Sequence, residues 1–189
     1  MLALASACAA LVACGPDTSA PALAREIAVV RVRGYGEIRF GLLADKAPRH
    51  VDNFKKLAAA RFYDGTTFHR VIPSFMIQGG DPNSKDADPR NDGYGGPGYY
   101  LKAEFNDVPH RPGVVSMGHG ADPDTAGSQF FIMTTGSEKW RPELDGQFTA
   151  FGELVSGQDV VDRISAAPRN AADRPLENVV IESVRIEPR

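Results

Sequence analysis

Short apolar runs, separated by turn residues and never alternating with helices, set the tightest limit on what this chain can fold into. "REIAVVRVRG" (25–34) and "GEIRFGLL" (36–43) flank "RGYG" and predict a hairpin. "TTFHRVI" (66–72), "GVVSMG" (113–118), "QFFIMTT" (129–135), "FTAFGELV" (148–155) and "NVVIESVRIEP" (178–188) predict further strands. Two segments instead carry helical spacing. One starts at Pro48 and repeats through Val51, Phe54 and Ala58; the other is "GQDVVDRISAA" (157–167), with Val160, Val161 and Ile164 on one face. Many strands, two helices and no βαβ rhythm predict an antiparallel sandwich or barrel with helices attached. The 19 glycines and 14 prolines suit such a chain of short elements and many turns.

The length of 189 residues fits one ordinary domain, taken here as 26–189. A net charge of −3 with no long basic run argues against nucleic acid as a partner. Residues 1–14, "MLALASACAALVAC", carry no charge and are too short to span a bilayer. They resemble a secretory signal segment, and "LVAC" resembles the lipobox of bacterial lipoproteins, with lipid on Cys14. Residues 15–25 read as a tether. Both cysteines, Cys8 and Cys14, lie in this segment, so the domain has no internal disulfide. The expectation is a periplasmic protein, lipid-anchored at Cys14 with the outer membrane favoured by Gly15. A cytoplasmic protein is the alternative if the segment is not a signal. No coiled-coil pattern demands a second copy, so a monomer is expected.

Residues 79–98, "GGDPNSKDADPRNDGYGGPG", form a long loop whose aspartates and asparagines suit turns better than a calcium site. The four histidines, His50, His69, His110 and His119, match no zinc spacing, and His50 and His110 are expected at the surface. No nucleophile–base set stands out, and no metal or cofactor is expected.

Side chains two apart on a strand share a face. Gln129 and Phe131 therefore share one face of their strand, opposite the apolar Phe130 and Ile132. Met76 and Gln78 share a face opposite Ile77. In a regular strand Arg70 would share a face with Phe68 and Ile72. Three segments thus set a long polar side chain beside a large apolar one. Taken singly, Arg70 reads as an ion-pair partner, Gln129 as an edge hydrogen bonder, and Met76 or Phe131 as core. Together they fit a concave binding face, which needs apolar walls and a few placed donors.

These residues resemble the cyclophilin family of peptidyl-prolyl cis-trans isomerases. The resemblance rests on "FYDGTTFHRVIPSFMIQGGDP", "AGSQFFIMTT" and "LDGQFTAFGELVSGQDVVDRI", with "GYGGPGYYLKAEFND" similar to a loop of bacterial members. It runs from about residue 26 to 187 and implies a mainly β fold: an eight-stranded antiparallel closed β-barrel capped by two helices. It implies proline-containing peptides and unfolded proteins as partners, bound in a groove on the outer face of the barrel. By this resemblance Arg70, Gln129 and His69 are catalytic. Phe75, Met76, Gln78, Gly120, Phe131, Leu144 and Phe148 bind substrate, with a backbone group of Gly120 pairing with the peptide. A peptide-binding chaperone or docking module using the same groove without turnover is the alternative. Where many eukaryotic members carry a tryptophan before "LDG", this chain has Glu143, which implies weak cyclosporin binding; Trp140 is not counted among the groove residues.

Overall fold

The computed structural model describes residues 26–189. The readings of residues 1–25, the signal-like segment, Cys14 and the tether of residues 15–25, lie outside the described residues. Eight antiparallel strands form one curled sheet: β1 (Glu26–Val32), β2 (Gly36–Leu42), β3 (Phe68–Ile72), β4 (Met76–Gly79), β5 (Val114–Met117), β6 (Phe130–Met133), β7 (Thr149–Ser156) and β8 (Ile181–Pro188). Their spatial order is β3-β4-β6-β5-β7-β2-β1-β8. The two edge strands approach each other beside the single bridge Thr67–Val180, with backbone bonds from Phe68 N to Val179 O and from Ile181 N to Thr66 O. That seam is a bridge and not a full ladder, so the architecture is a curled half-barrel where the sequence reading expected a closed one.

Three α-helices flank the sheet, one more than expected. They are α1 (Pro48–Ala59), the single turn α2 (Arg141–Leu144) and α3 (Gln158–Ser165). A four-residue turn offers no periodicity, so α2 leaves no pattern to read. Helix α1 inserts Phe54 into the sheet's concave side. Its ring lies 5.6 Å from Phe40, 5.3 Å from Phe151, 5.0 Å from Tyr63 and 5.7 Å from Phe130. These aromatics, all fully buried, make the interior a packed core, not a cavity. Residue Ala47 offers no side-chain cap to α1. Glu104, far away in sequence, accepts from the amides of Arg49 and His50 instead, answering the open N–H groups of the first turn.

The ladder assigns each strand residue to a side. Val71, Ile77, Ile132 and Val115 pair in one continuous row and are all fully buried in the main core. The neighbouring row on the opposite side of the sheet is Arg70, Gln78, Phe131, Ser116 and Ala150. This second row carries the site.

Candidate active site

A one-residue irregularity in β3 aims the arginine. Phe68 pairs with Gly79 and Arg70 with Gln78, which leaves His69 as the extra residue of a bulge. Phe68 therefore packs in the main core against Phe130, 6.1 Å between centroids, while Arg70 stands exposed on the other side. The expectation that Phe68 and Arg70 share a face is overturned, because the extra residue shifts the pleat by one. Ile72 does share the Arg70 side, pairing with Met76, which pairs in turn with Met133.

Around this row lies a second apolar cluster, separate from the main core: Met76, Phe131, Met133, Leu144, Val114 and Ala150. Phe75, Phe148 and Trp140 pack against it, half-buried. The predicted residues Phe75, Met76, Phe131, Leu144 and Phe148 are thus brought together. Helix α2 delivers Leu144, and the following turn brings the Phe148 ring edge-on to Phe131 at 5.4 Å. The result is an apolar floor bordered by Arg70 and Gln78. No carboxylate among the described residues stands within ion-pair distance of Arg70. Its guanidinium remains available to a ligand, which removes the ion-pair reading of that residue.

Gln78 donates Nε2 to Gln129 Oε1 at 3.0 Å, and Gln129 donates its own Nε2 to the carbonyls of Gly93 and Gly95, each at 2.9 Å. Gln129 therefore ties the long loop to the site. The loop is pinned from below as well, since Asp81 accepts from the amides of Asn83, Gly93 and Gly95. Gly80 makes this turn possible: its φ is +85°, and a Cβ there would lie 2.6 Å from Ser128 O. An open cavity of about 720 Å³ adjoins the row and is bordered by Gln78, Gln129, His119 and Asp122, with Tyr94 and Tyr100 on the loop side.

His69 lies away from the open face. It is 7% exposed, and burial holds its imidazole below the usual pKa, against the opposing pull of Asp81 and Asp92. The backbone of Gly120 is already engaged: its N–H donates to Thr125 Oγ1 at 2.9 Å and its carbonyl faces His119 Nδ1 at 2.7 Å. A peptide pairing there would share that carbonyl.

Two histidines expected at the surface are buried, His50 fully and His110 at 1% exposure. Each meets a single carboxylate through both its amide and its Nδ1, although His50 Nε2 is left without a partner. His50 places its amide 3.0 Å and its Nδ1 2.7 Å from Glu104 Oε2; His110 places its amide 2.7 Å and its Nδ1 3.0 Å from Asp145 Oδ1. Local bonding of ring and backbone to one carboxylate offsets the cost of burying an imidazole. The structure also assembles a nucleophile–base set unseen in the sequence, for His110 Nε2 lies 2.7 Å from Ser116 Oγ. Ser116 is fully buried, so no substrate carbonyl reaches it.

Trp140 was missed. Its ring lies 4.6 Å from that of Phe75, and its indole N–H donates to Ser74 O at 3.1 Å. Its distance in sequence from the strand motifs hid this. The available signal was the absence of any other tryptophan able to wall the site.

Comparison with known proteins agrees with this geometry. The family model described as cyclophilin type peptidyl-prolyl cis-trans isomerase/CLD matches residues 27–186. The chain belongs to that family. It is 44% identical over 174 residues to peptidyl-prolyl cis-trans isomerase B of Streptomyces anulatus, covering 82% of this chain and 93% of that protein. It is 39% identical over 181 residues to a probable peptidyl-prolyl cis-trans isomerase of Brucella suis, covering 92% of this chain and 90% of the relative. Among solved structures, a cyclophilin-type isomerase of Cryptosporidium parvum, crystallised in the presence of the dipeptide Ala-Pro, superposes with a TM-score of 0.76 at 30% identity. That match covers 86% of this chain and 99% of the other.

Proposed function

We propose that this protein accelerates rotation about Xaa-Pro peptide bonds and assists folding in the cell envelope. The observation that carries the reading is the unpaired, exposed Arg70 at the border of a buried apolar floor. An amide resists rotation because its nitrogen shares a lone pair with the carbonyl, giving a barrier of about 18–20 kcal/mol. In the twisted state the proline nitrogen recovers that lone pair. A donor aimed at it stabilises the twisted state more than either planar one. Arginine suits the role, being always charged and a donor only. Met76, Phe131 and Leu144 supply apolar contact for the proline ring. Gln129 and Gln78 orient the peptide backbone, and His69 supports the arm that carries Arg70. This mechanism routes no step through a metal or cofactor.

The envelope location rests on the resemblance of "LVAC" to a lipobox and of residues 1–14 to a signal segment. Among the described residues no helix is long and apolar enough to cross a membrane. Attachment through lipid on Cys14, with the outer membrane favoured, is the arrangement we infer, and the domain acts as a monomer. Fractionation of cells carrying the protein or its Cys14→Ala variant tests this: loss of membrane association in the variant supports it, and identical soluble distribution of both refutes it.

A specific observation favours a second reading, a binding role without turnover. Tyr94, Tyr99, Tyr100 and Phe105, all exposed, crowd one stretch beside the site. Large exposed aromatics suit the capture of unfolded chains. Cis-to-trans conversion of a short Xaa-Pro peptide, with the protein and with its Arg70→Ala variant, separates the two. Acceleration lost in the variant supports the isomerase. A folded protein that never accelerates conversion, yet holds an unfolded chain lacking proline, supports the binding module.

A further inference from the structure

His119, half-buried, stands where two turns of the groove wall meet. One turn follows β5 and carries Gly120; the other follows α2 and carries Gln147 and Phe148. The ring places Nδ1 2.7 Å from the Gly120 carbonyl oxygen and Nε2 2.9 Å from the Gln147 carbonyl oxygen. A carbonyl oxygen only accepts, so each ring nitrogen must donate, and a neutral imidazole donates from one nitrogen alone. Two donated bonds therefore require the doubly protonated, positively charged ring. The surroundings suit that charge. The ring is stacked on Phe148, 4.3 Å between centroids at 22°, and an aromatic face attracts a cation. Phe105 approaches it at 6.4 Å, and Asp122 borders the same cavity. The other acids nearby in the fold are engaged elsewhere: Glu104 with Arg49 and His50, Asp107 with Lys46, Asp145 with His110 and Arg141, and Asp124 with the Ala103 amide.

We infer that His119 is a positioning residue for the peptide: as an imidazolium it latches the Gly120 turn to the Gln147 turn, and on losing one proton it releases one of them. Whichever nitrogen gives up its proton then points a lone pair at a carbonyl oxygen, so ring and carbonyl separate. In either case the ring no longer joins the two turns. Histidine is the side chain suited to such a latch, since imidazoles change charge near neutral pH. The wall concerned borders the peptide path. Phe148 packs against the apolar floor, and His119 and Gly120 line the cavity beside Gln78 and Gln129. Arg70 belongs to β3, outside this wall. The latch therefore governs how firmly a peptide is held, not how fast a held bond turns. The inference rests on the isomerase reading for its effect on peptide kinetics, but not for the charge and bonding of the ring.

The test compares the protein with its His119→Phe variant, which keeps a flat ring over Phe148 but donates nothing. Long-range nitrogen–proton NMR follows the His119 ring, and Xaa-Pro peptide kinetics separate KM from kcat, both from about pH 5.5 to 8.5. Circular dichroism checks folding at each pH. The expected result is two ring N–H signals protected from exchange at the acid end and one at the alkaline end. KM rises about threefold as the second signal disappears, while kcat stays within about twofold. The variant shows the high KM at every pH. A ring with a single proton at the acid end overturns the proposal. So does a KM that follows pH equally in both proteins, or one that falls as the ring loses its proton. The titration of the wild type stands whether or not the variant folds. A wild type that turns over no peptide at any pH sinks the isomerase reading, and the ring then decides the latch alone: two protected protons, with Gly120 amide shifts following their loss, uphold it, and one proton overturns it.

Discussion

Phe68 and Arg70 lie two residues apart on β3 yet occupy opposite sides of the sheet, because His69 is the extra residue of a bulge between them. Phe68 joins the main core, and Arg70 reaches the open face beside Gln78 and Phe131. The bulge turns a strand that would bury its arginine into one that presents it.

Arg70 is exposed and unpaired, so its replacement should cost activity and not stability. Arg70→Ala is expected to lower kcat/KM for an Xaa-Pro peptide by about a hundredfold, with ΔG of unfolding within about 0.5 kcal/mol of wild type. Arg70→Lys keeps the charge but not the planar donor fork, and should recover less than about a tenth of the lost rate. Parallel peptide kinetics and urea melts check both. Full activity in the lysine variant would show that charge alone suffices.

Gln129 holds the long loop through Gly93 and Gly95. Gln129→Ala breaks both of those bonds and the one to Gln78, costing about 1–2 kcal/mol and loosening the loop. Hydrogen exchange should rise sharply at the amides of residues 91–96 and stay unchanged in β1 and β8. Uniform acceleration across the domain would mean that the glutamine supports the whole fold.

Trp140, the sole tryptophan, spends its indole N–H on Ser74 O and packs against Phe75, leaving no free donor there for a bound macrocycle. With Glu143 exposed at the position before "LDG", cyclosporin is expected to bind only weakly, in the micromolar range or above. Because the ring touches a groove residue, Trp140 fluorescence should report occupancy directly. A submicromolar dissociation constant would contradict this.

Acid should destabilise the protein in two stages. Burial, the largest effect on each, holds the imidazoles of His50, His69 and His110 below the ordinary histidine value. In the unfolded chain they protonate near pH 6.5, while in the native state they resist. The unfolded state then binds more protons, so stability is full above about pH 6.5 and falls as pH drops below it toward the lower native values. Glu104 governs the second stage. Burial pushes its carboxyl up, but hydrogen bonds from His50 and Arg49 outweigh this and hold it at about 2, against 4.5 ordinarily. Its contribution, at most about 3 kcal/mol, is present above pH 4.5 and lost as pH falls toward 2. Denaturant melts across this range should show both limbs, and Glu104→Gln should flatten the lower one. A pH-independent midpoint below neutrality would refute the assignment.

Strand alternation was legible wherever strands are regular. Ile77 opposite Gln78, and Ile132 opposite Phe131, follow from a period of two and appear in the ladder. Alternation failed at Phe68, where one extra residue moved the pleat, and nothing local in "TTFHRVI" announces that residue. The long loop was legible as a loop, but its attachment to Gln129 was not, since the bonding carbonyls lie 34 and 36 residues away. His110 and His50 were misread as surface residues because a lone polar side chain carries no sign of the distant or turn-borne carboxylate that will satisfy it.

The sequence by itself determined which segments are strands, which apolar faces must be covered, and that polar and apolar side chains share one set of faces. Those are local properties, governed by steric preference and the period of each element. Only the tertiary structure decided which side Arg70 takes, that Trp140 backs Phe75, and that Ser116, His110 and Asp145 meet beneath Phe131. These depend on register between strands remote in sequence. One residue of slip moves every side chain to the other face, and no single segment encodes its partner's register.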